Sequence, residues 1–328
     1  MRVCRERLTI STMNPLRLVF FGTAELACPS LLALAASPEF EVAVVVTQPD
    51  RPKGRSLQLQ PSPVKTAALG QGLSVLQPAR ARDPAFLATV RELRPALGVV
   101  VAYGQILPRA LLDIPAHGFV NVHTSLLPKH RGAAPIQWAL LNDDPETGVT
   151  IMQIDEGLDT GGILAQQATP IHVGDNARTL HDRLAQMGAA LLLPTITELI
   201  EGRITPRRQP EAGAGYARKI TKEDGRIDWS LPARAIWNRV RAFTPWPGAY
   251  TFLSAVPKPQ LLKIWHVEVT DVAGGQAGQV TAAGPEGIVV TCGQQALRIL
   301  TLQLEGSRRM TAREFLAGHT LTAGQLLG

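Results

Sequence analysis

Cysteine is scarce in this chain: Cys4, Cys28 and Cys292 are spread over 328 residues, odd in number and without CxxC spacing. That argues against a disulfide framework or a zinc site, so no metal is expected, and a reducing, cytoplasmic setting fits. No apolar run reaches the roughly 18–20 residues that a membrane span needs, and the chain reads as soluble with no membrane partner. A GxSxG nucleophile elbow is absent, which leaves a Ser–His hydrolase without support. The first strand-to-helix turn, FFGTAELACPSLL, has a single glycine instead of GxGxxG, so a dinucleotide fingerprint is missing too. Residues 1–14, MRVCRERLTISTMN, carry three arginines but not the apolar core of a secretory signal. They read as a disordered extension, with the start at Met1 or Met13.

The length favours two domains. A hydrophobic fraction of 45% with 18% charged residues is ordinary for a globular protein, and the formal charge of +6 tilts toward a polyanionic partner. Near-continuous apolar runs at 16–22, 41–47, 97–102, 119–123 and 149–155 read as strands of a mostly parallel sheet covered on both faces. Helical stretches such as CPSLLALAAS and DPAFLATVREL lie between them, which predicts a doubly wound α/β domain over 15–203. Asp175 is the expected N-cap of a long helix over 176–201, interrupted or bent near Pro194. Gly, Pro and charge concentrate over 204–220, as in a linker. From 221 to 328, short strands between Gly and Pro turns predict a small antiparallel barrel.

Asn121 and His123 sit at the C-terminal end of FVNVH, two residues apart and so on one face of the strand. Ligands of an open α/β sheet bind outside the carboxyl ends of its strands. Asp159 follows VTIMQID in the Gly-rich loop DEGLDTGG and is expected at the same edge. The three types suit acyl transfer to an amine. A protonated histidine and an asparagine amide can donate to an oxyanion, and an aspartate can hold the imidazole or take up a proton through water. A long loop at 47–65 carries Arg51, Lys53, Arg55 and Lys65, and the seam and second domain add Arg207, Arg208, Arg218, Lys219, Lys222, Arg226, Arg234, Arg239 and Arg241. Trp229, Trp237 and Trp246 interleave with these charges, which could follow a phosphate backbone.

These segments bring a family into view. NVHTSLLPKHRGAAPIQWAL and ETGVTIMQIDEGLDTGGIL resemble the Asn-x-His-x-Ser-Leu-Leu-Pro segment and the aspartate loop of the formyltetrahydrofolate-dependent transformylases. TQPDRPKGR, EDGRIDWS and RAFTPWPGAY are similar to the insertion loop, interdomain marker and barrel start of the branch that formylates methionyl-tRNA, and the likeness runs from about Leu16 nearly to the end. The resemblance implies a Rossmann-like catalytic domain followed by an OB-like β-barrel that contacts tRNA. It implies that Asn121, His123 and Asp159 are catalytic, that Ser125, Leu126, Leu127 and Pro128 bind tetrahydrofolate, and that Arg55 meets the tRNA acceptor end.

The implied reaction transfers the formyl group of 10-formyltetrahydrofolate, the co-substrate, to the α-amino group of methionyl initiator tRNA, carried out by a monomer without a metal. Some residues depart from the family pattern. GTAELA replaces Gly-Thr-Pro-acidic-Phe-Ala, Thr124 stands where glycine or alanine is common, and His130 where an aromatic is usual. Two rivals are a folate-dependent transformylase acting on an amino sugar or other small amine, and a non-catalytic RNA-binding protein. The second leaves the Asn–His–Asp convergence unexplained.

Overall fold

A computed structural model describes residues 14–53, 58–253, 259–271 and 274–328. The N-terminal extension up to residue 13 lies outside them, as does Arg55. In chain order the first elements are β1 (Leu16–Gly22), α1 (Cys28–Ala36), β2 (Phe40–Val46), β3 (Arg51–Lys53), β4 (Gln58–Gln60), α2 (Pro63–Gly70), β5 (Val75–Leu76), α3 (Pro84–Glu92), β6 (Leu97–Val101) and α4 (Arg109–Leu112). Next come β7 (Phe119–His123), β8 (Arg131–Gly132), α5 (Pro135–Leu141), β9 (Glu146–Gln153), β10 (Ile163–Pro170), α6 (Ala177–Ile200), β11 (Tyr216–Ala217) and α7 (Ala233–Ala242). The last are β12 (Ala249–Leu253), β13 (Gln260–Thr270), β14 (Val280–Gly284), β15 (Gly287–Thr291), β16 (Ala296–Leu304), β17 (Met310–Thr311) and α8 (Ala312–Gly318).

The chain divides into two compact units. One runs through Val122 and adds Ile151–Glu156 and Ala189–Pro206; the other holds His123–Thr150, Gly157–Gly188 and Arg207–Gly328. The large sheet has seven strands in the order β10-β9-β7-β6-β1-β2-β5. Its pairs β1–β2, β1–β6, β2–β5 and β6–β7 are parallel. The chain leaves β1 toward β2 and β5, then returns to its other side at β6, which makes the β1/β6 junction the switch point of a doubly wound sheet. This is the mostly parallel α/β architecture expected from the apolar runs. β1 and β6 are almost wholly buried, as strands covered on both faces should be. Helices start where the sequence offers caps: the Asp83 side chain accepts from Ala85 N ahead of Pro84, and Ser62 from Lys65 N ahead of Pro63.

Three details differ from expectation. β9 begins at Glu146, ahead of the expected start at 149, and ends at Gln153. β10 was not among the expected strands; its half-exposed, glutamine-containing segment sits at the sheet edge, where one face stays wet and the apolar pattern fades. The cap of α6 is Asn176, whose Oδ1 accepts from the backbone of Arg178 and Thr179, and not Asp175. The Asp175 carboxylate is instead taken by His172 N and by Arg183, each at 2.7 Å. α6 continues through Pro194.

In the first unit, Phe21 packs edge-on against Phe86, Tyr103 and Phe119. Gly98 pairs with Phe119 across β6–β7, and a Cβ at Gly98 would stand 2.2 Å from the Phe119 ring. In the second unit an antiparallel sheet, β12-β13-β16-β15-β14 with β17 on β16, forms the C-terminal β-rich part, near the strand positions expected. Its apolar face and α7 share a core that includes Trp229, Ile236, Val240, Ile264 and Leu302.

Gly98→Ala should cost about 1–3 kcal/mol, the usual scale for overpacking a tight core. It is read as a lower urea midpoint, and Phe119→Leu in the same chain should recover part of the loss. Burial pushes the Tyr103 hydroxyl up to about 12, and among the described residues it has no hydrogen-bond partner. An unfolded tyrosine titrates near ~10. The folded chain therefore holds that proton longer, and stability should fall as pH rises from about 10 toward about 12. Chemical denaturation across that range should show a shallower fall in Tyr103→Phe.

Candidate active site

β7 ends in His123, whose side chain is 6% exposed. Its Nε2 lies 2.9 Å from the carbonyl oxygen of His130. A carbonyl only accepts, so the ring donates its Nε2–H there. Nδ1 then faces Asp159 Oδ2 at 3.7 Å, beyond hydrogen-bond length. Asn121 pairs with Val100 in the β6–β7 ladder and is half-buried. Strand alternation puts it on the same face of β7 as His123.

Asp159 is held three ways. Its backbone takes a left-handed φ of 52°, which aspartate tolerates better than most residues. Its Oδ2 accepts from Gly132 N at 2.8 Å, and its carbonyl accepts from Gln209 Nε2 at 2.8 Å. Gln209 is 4% exposed, also donates to Gly161 O, and has its own oxygen fixed by Arg131 Nε at 2.9 Å. A buried amide thus staples the aspartate loop from the 204–220 segment, where Tyr216–Ala217 also pair with Arg131–Gly132.

The segment after His123 turns through a cis bond between Leu127 and Pro128. Ser125 is fully buried and donates its hydroxyl to Lys129 O at 2.6 Å. Thr150 donates to Ser125 O and accepts from Leu127 N, and Gln166 Nε2 donates to both Leu127 O and Thr150 Oγ1. Ser125 and Leu127 thus shape the turn. Leu126 and Pro128 line a cavity of about 270 Å³ with Lys129, His130, Asp144, Glu146 and Thr147. That mixed wall can cover an apolar ring and meet polar groups at its rim.

Several expected phosphate-facing charges have protein partners. Arg218 pairs with Asp224 and holds that carboxyl well below the usual carboxylate range. Arg234 and Arg241 both reach Asp143, and Arg239 donates to Asp224 O. Arg234 and Arg241 both pack on Trp237, with guanidiniums 4.2 and 4.0 Å from its ring centroid. Trp229 is core and donates to Thr251, whereas Trp246 is 51% exposed. Gln209, Thr150 and Gln166 escaped sequence reasoning. Gln209 sits among arginines and prolines that read as linker, while Thr150, a lone polar residue early in VTIMQID, was the one available signal.

The sequence pattern of formyl transferases matches residues 16–196, and that of the formyl transferase C-terminal domain matches 219–320. The chain belongs to the formyl transferase family. Relatives in it include the methionyl-tRNA formyltransferases of Citrifermentans bemidjiense, 50% identical, and Geobacter sulfurreducens, 48% identical; each likeness covers 96% of this chain and 98% of the relative. Among solved structures, an N-formyltransferase from Helicobacter canadensis in complex with folinic acid and dTDP-3-aminofucose shares the fold at TM-score 0.64 and 21% identity, over 87% of this chain and 99% of that one. HypX from Aquifex aeolicus in complex with tetrahydrofolic acid does so at 0.62 and 16% identity, over 95% of this chain. Against HypX the chain spans about half of the longer protein, 51%.

Gln209→Ala removes the donor to two loop carbonyls, and leaving such groups unsatisfied costs about 1–3 kcal/mol. Amide exchange over residues 155–162 should accelerate while β1 and β6 keep their protection.

Proposed function

We propose that this chain transfers the formyl group of 10-formyltetrahydrofolate to the α-amino group of methionyl initiator tRNA. The observation that carries the reading is 50% identity to a methionyl-tRNA formyltransferase across 96% of the chain, with both family domains matched. In this reading residues 15–203 are catalytic, 204–220 link, and 221–328 form an OB-like barrel that meets tRNA together with Arg55. The enzyme works as a cytoplasmic monomer.

The donor supplies an activated formyl group on N10. The neutral amine attacks the formyl carbon, forming the new C–N bond and a tetrahedral oxyanion. Collapse breaks the bond to N10, which leaves with a proton, while the attacking nitrogen loses one. Asn121 donates its amide to the oxyanion without titrating. With Nε2–H occupied by the His130 carbonyl, Nδ1 is the ring nitrogen that meets the reaction; protonated, it donates to the oxyanion. The Asp159 carboxylate, oriented by Gly132 N, stabilises that imidazolium and takes up the amine proton through water. Leu126 and Pro128 wall the folate, and Ser125 and Leu127 hold the turn that presents them.

Purified protein with 10-formyltetrahydrofolate and methionyl initiator tRNA should yield formylmethionyl-tRNA. His123→Ala should lower turnover at saturating substrate by about 100–1000-fold, the scale for losing one oxyanion donor; near wild-type turnover would remove His123 from this role. Binding of tRNA should weaken steeply with salt if phosphates are contacted. Salt-insensitive or absent binding would favour an amino-sugar or other small-amine acceptor.

A further inference from the structure

A second histidine and aspartate stand behind His123. His130 Nε2 lies 2.6 Å from Asp144 Oδ2, with side chains only 10% and 17% exposed. His130 has a left-handed φ of 59°, a region that side-chain-bearing residues rarely adopt. One residue therefore makes two directed contacts: its ring to Asp144 and its carbonyl to the Nε2 of His123. Turning its backbone toward an ordinary helical or extended conformation would move both at once. Asp144 cannot readily follow, because it belongs to a clamped turn at the end of α5. Asp144 N donates to Ala139 O at 3.0 Å, and the neighbouring Asp143, itself at φ 56°, accepts two hydrogen bonds from Arg234 of α7 at 2.9 and 2.8 Å.

The geometry points to His130 and Asp144 as a positioning pair for the formyl transfer. Asp144 anchors the His130 ring, the anchored residue aims its carbonyl at His123 Nε2, and that carbonyl keeps His123 in the tautomer with Nδ1 turned to the reacting group. Neither residue touches the reacting atoms; both act through His123. The inference rests on the formyl-transfer reading for its rate consequence, but its tautomer consequence stands apart from any activity.

Two readouts test it. With the ring held neutral at alkaline pH, ¹⁵N spectra of histidine-labelled protein should show His123 as a single Nε2–H tautomer, and Asp144→Ala should convert it to a mixture. The same variant should lower kcat by about 10–100-fold, the scale of a near-ångström misplacement, with KM for tRNA changed by less than about threefold. Asp144→Asn keeps an acceptor oxygen and should restore most of the rate and the single tautomer. If Asp144→Ala fails to fold, His130→Gln serves in its place with the same expectations. A folded variant with unchanged kcat and an unchanged His123 spectrum would overturn the proposal. If the native protein transfers no formyl group, the functional reading falls, and the spectra alone still decide whether the pair sets the His123 tautomer.

Discussion

The hydrogen bond from the His123 ring to the carbonyl of His130 governs what the site can do. An imidazole with one nitrogen committed has one left for chemistry, and its identity is set by the partner of the other. Because a carbonyl cannot donate, Nε2 carries the hydrogen and Nδ1 is directed toward Asp159. The 3.7 Å separation there is too long for a direct bond, so the carboxylate acts on the ring mainly through its charge.

Holding this geometry falls to polar side chains outside the trio. Thr150 and Gln166 tie the turn through Leu127 and Pro128, Gln209 ties the aspartate loop, and Asp144 ties His130. Where such a contact is buried, as between Leu127 N and the Thr150 hydroxyl, leaving either partner unsatisfied costs more than the bond itself contributes. Asp143, Asp159 and His130 all sit at positive φ, so the surrounding contacts must offset local backbone strain. Residues in such conformations cluster at functional sites for that reason.

Charge tells a related story in the C-terminal part. A net charge of +6 suggested a surface free to meet phosphate, yet Arg218, Arg234 and Arg241 are paired with carboxylates. Arg234 and Arg241 also pack their planar groups on the Trp237 ring. These side chains build the region around α7, and a polyanion would meet cations that lack such partners.

The apolar runs alone determined the doubly wound sheet, since strands covered on both faces must be nearly continuous in Val, Ile and Leu, and β1 and β6 are. Period-two alternation put Asn121 and His123 on one face of β7, and the quoted segments identified the family. Edge strand β10 was illegible because a half-wet strand loses its apolar pattern. Asn176 displaced Asp175 as the helix cap because Arg183, eight residues along the chain from Asp175, reaches that carboxylate. The Gln209 staple, the inward-turned Ser125 and the His130–Asp144 pair were likewise decided only by tertiary structure. Hydrogen bonds between residues far apart in the chain depend on where backbones meet in space, and no local pattern of residue types carries that information.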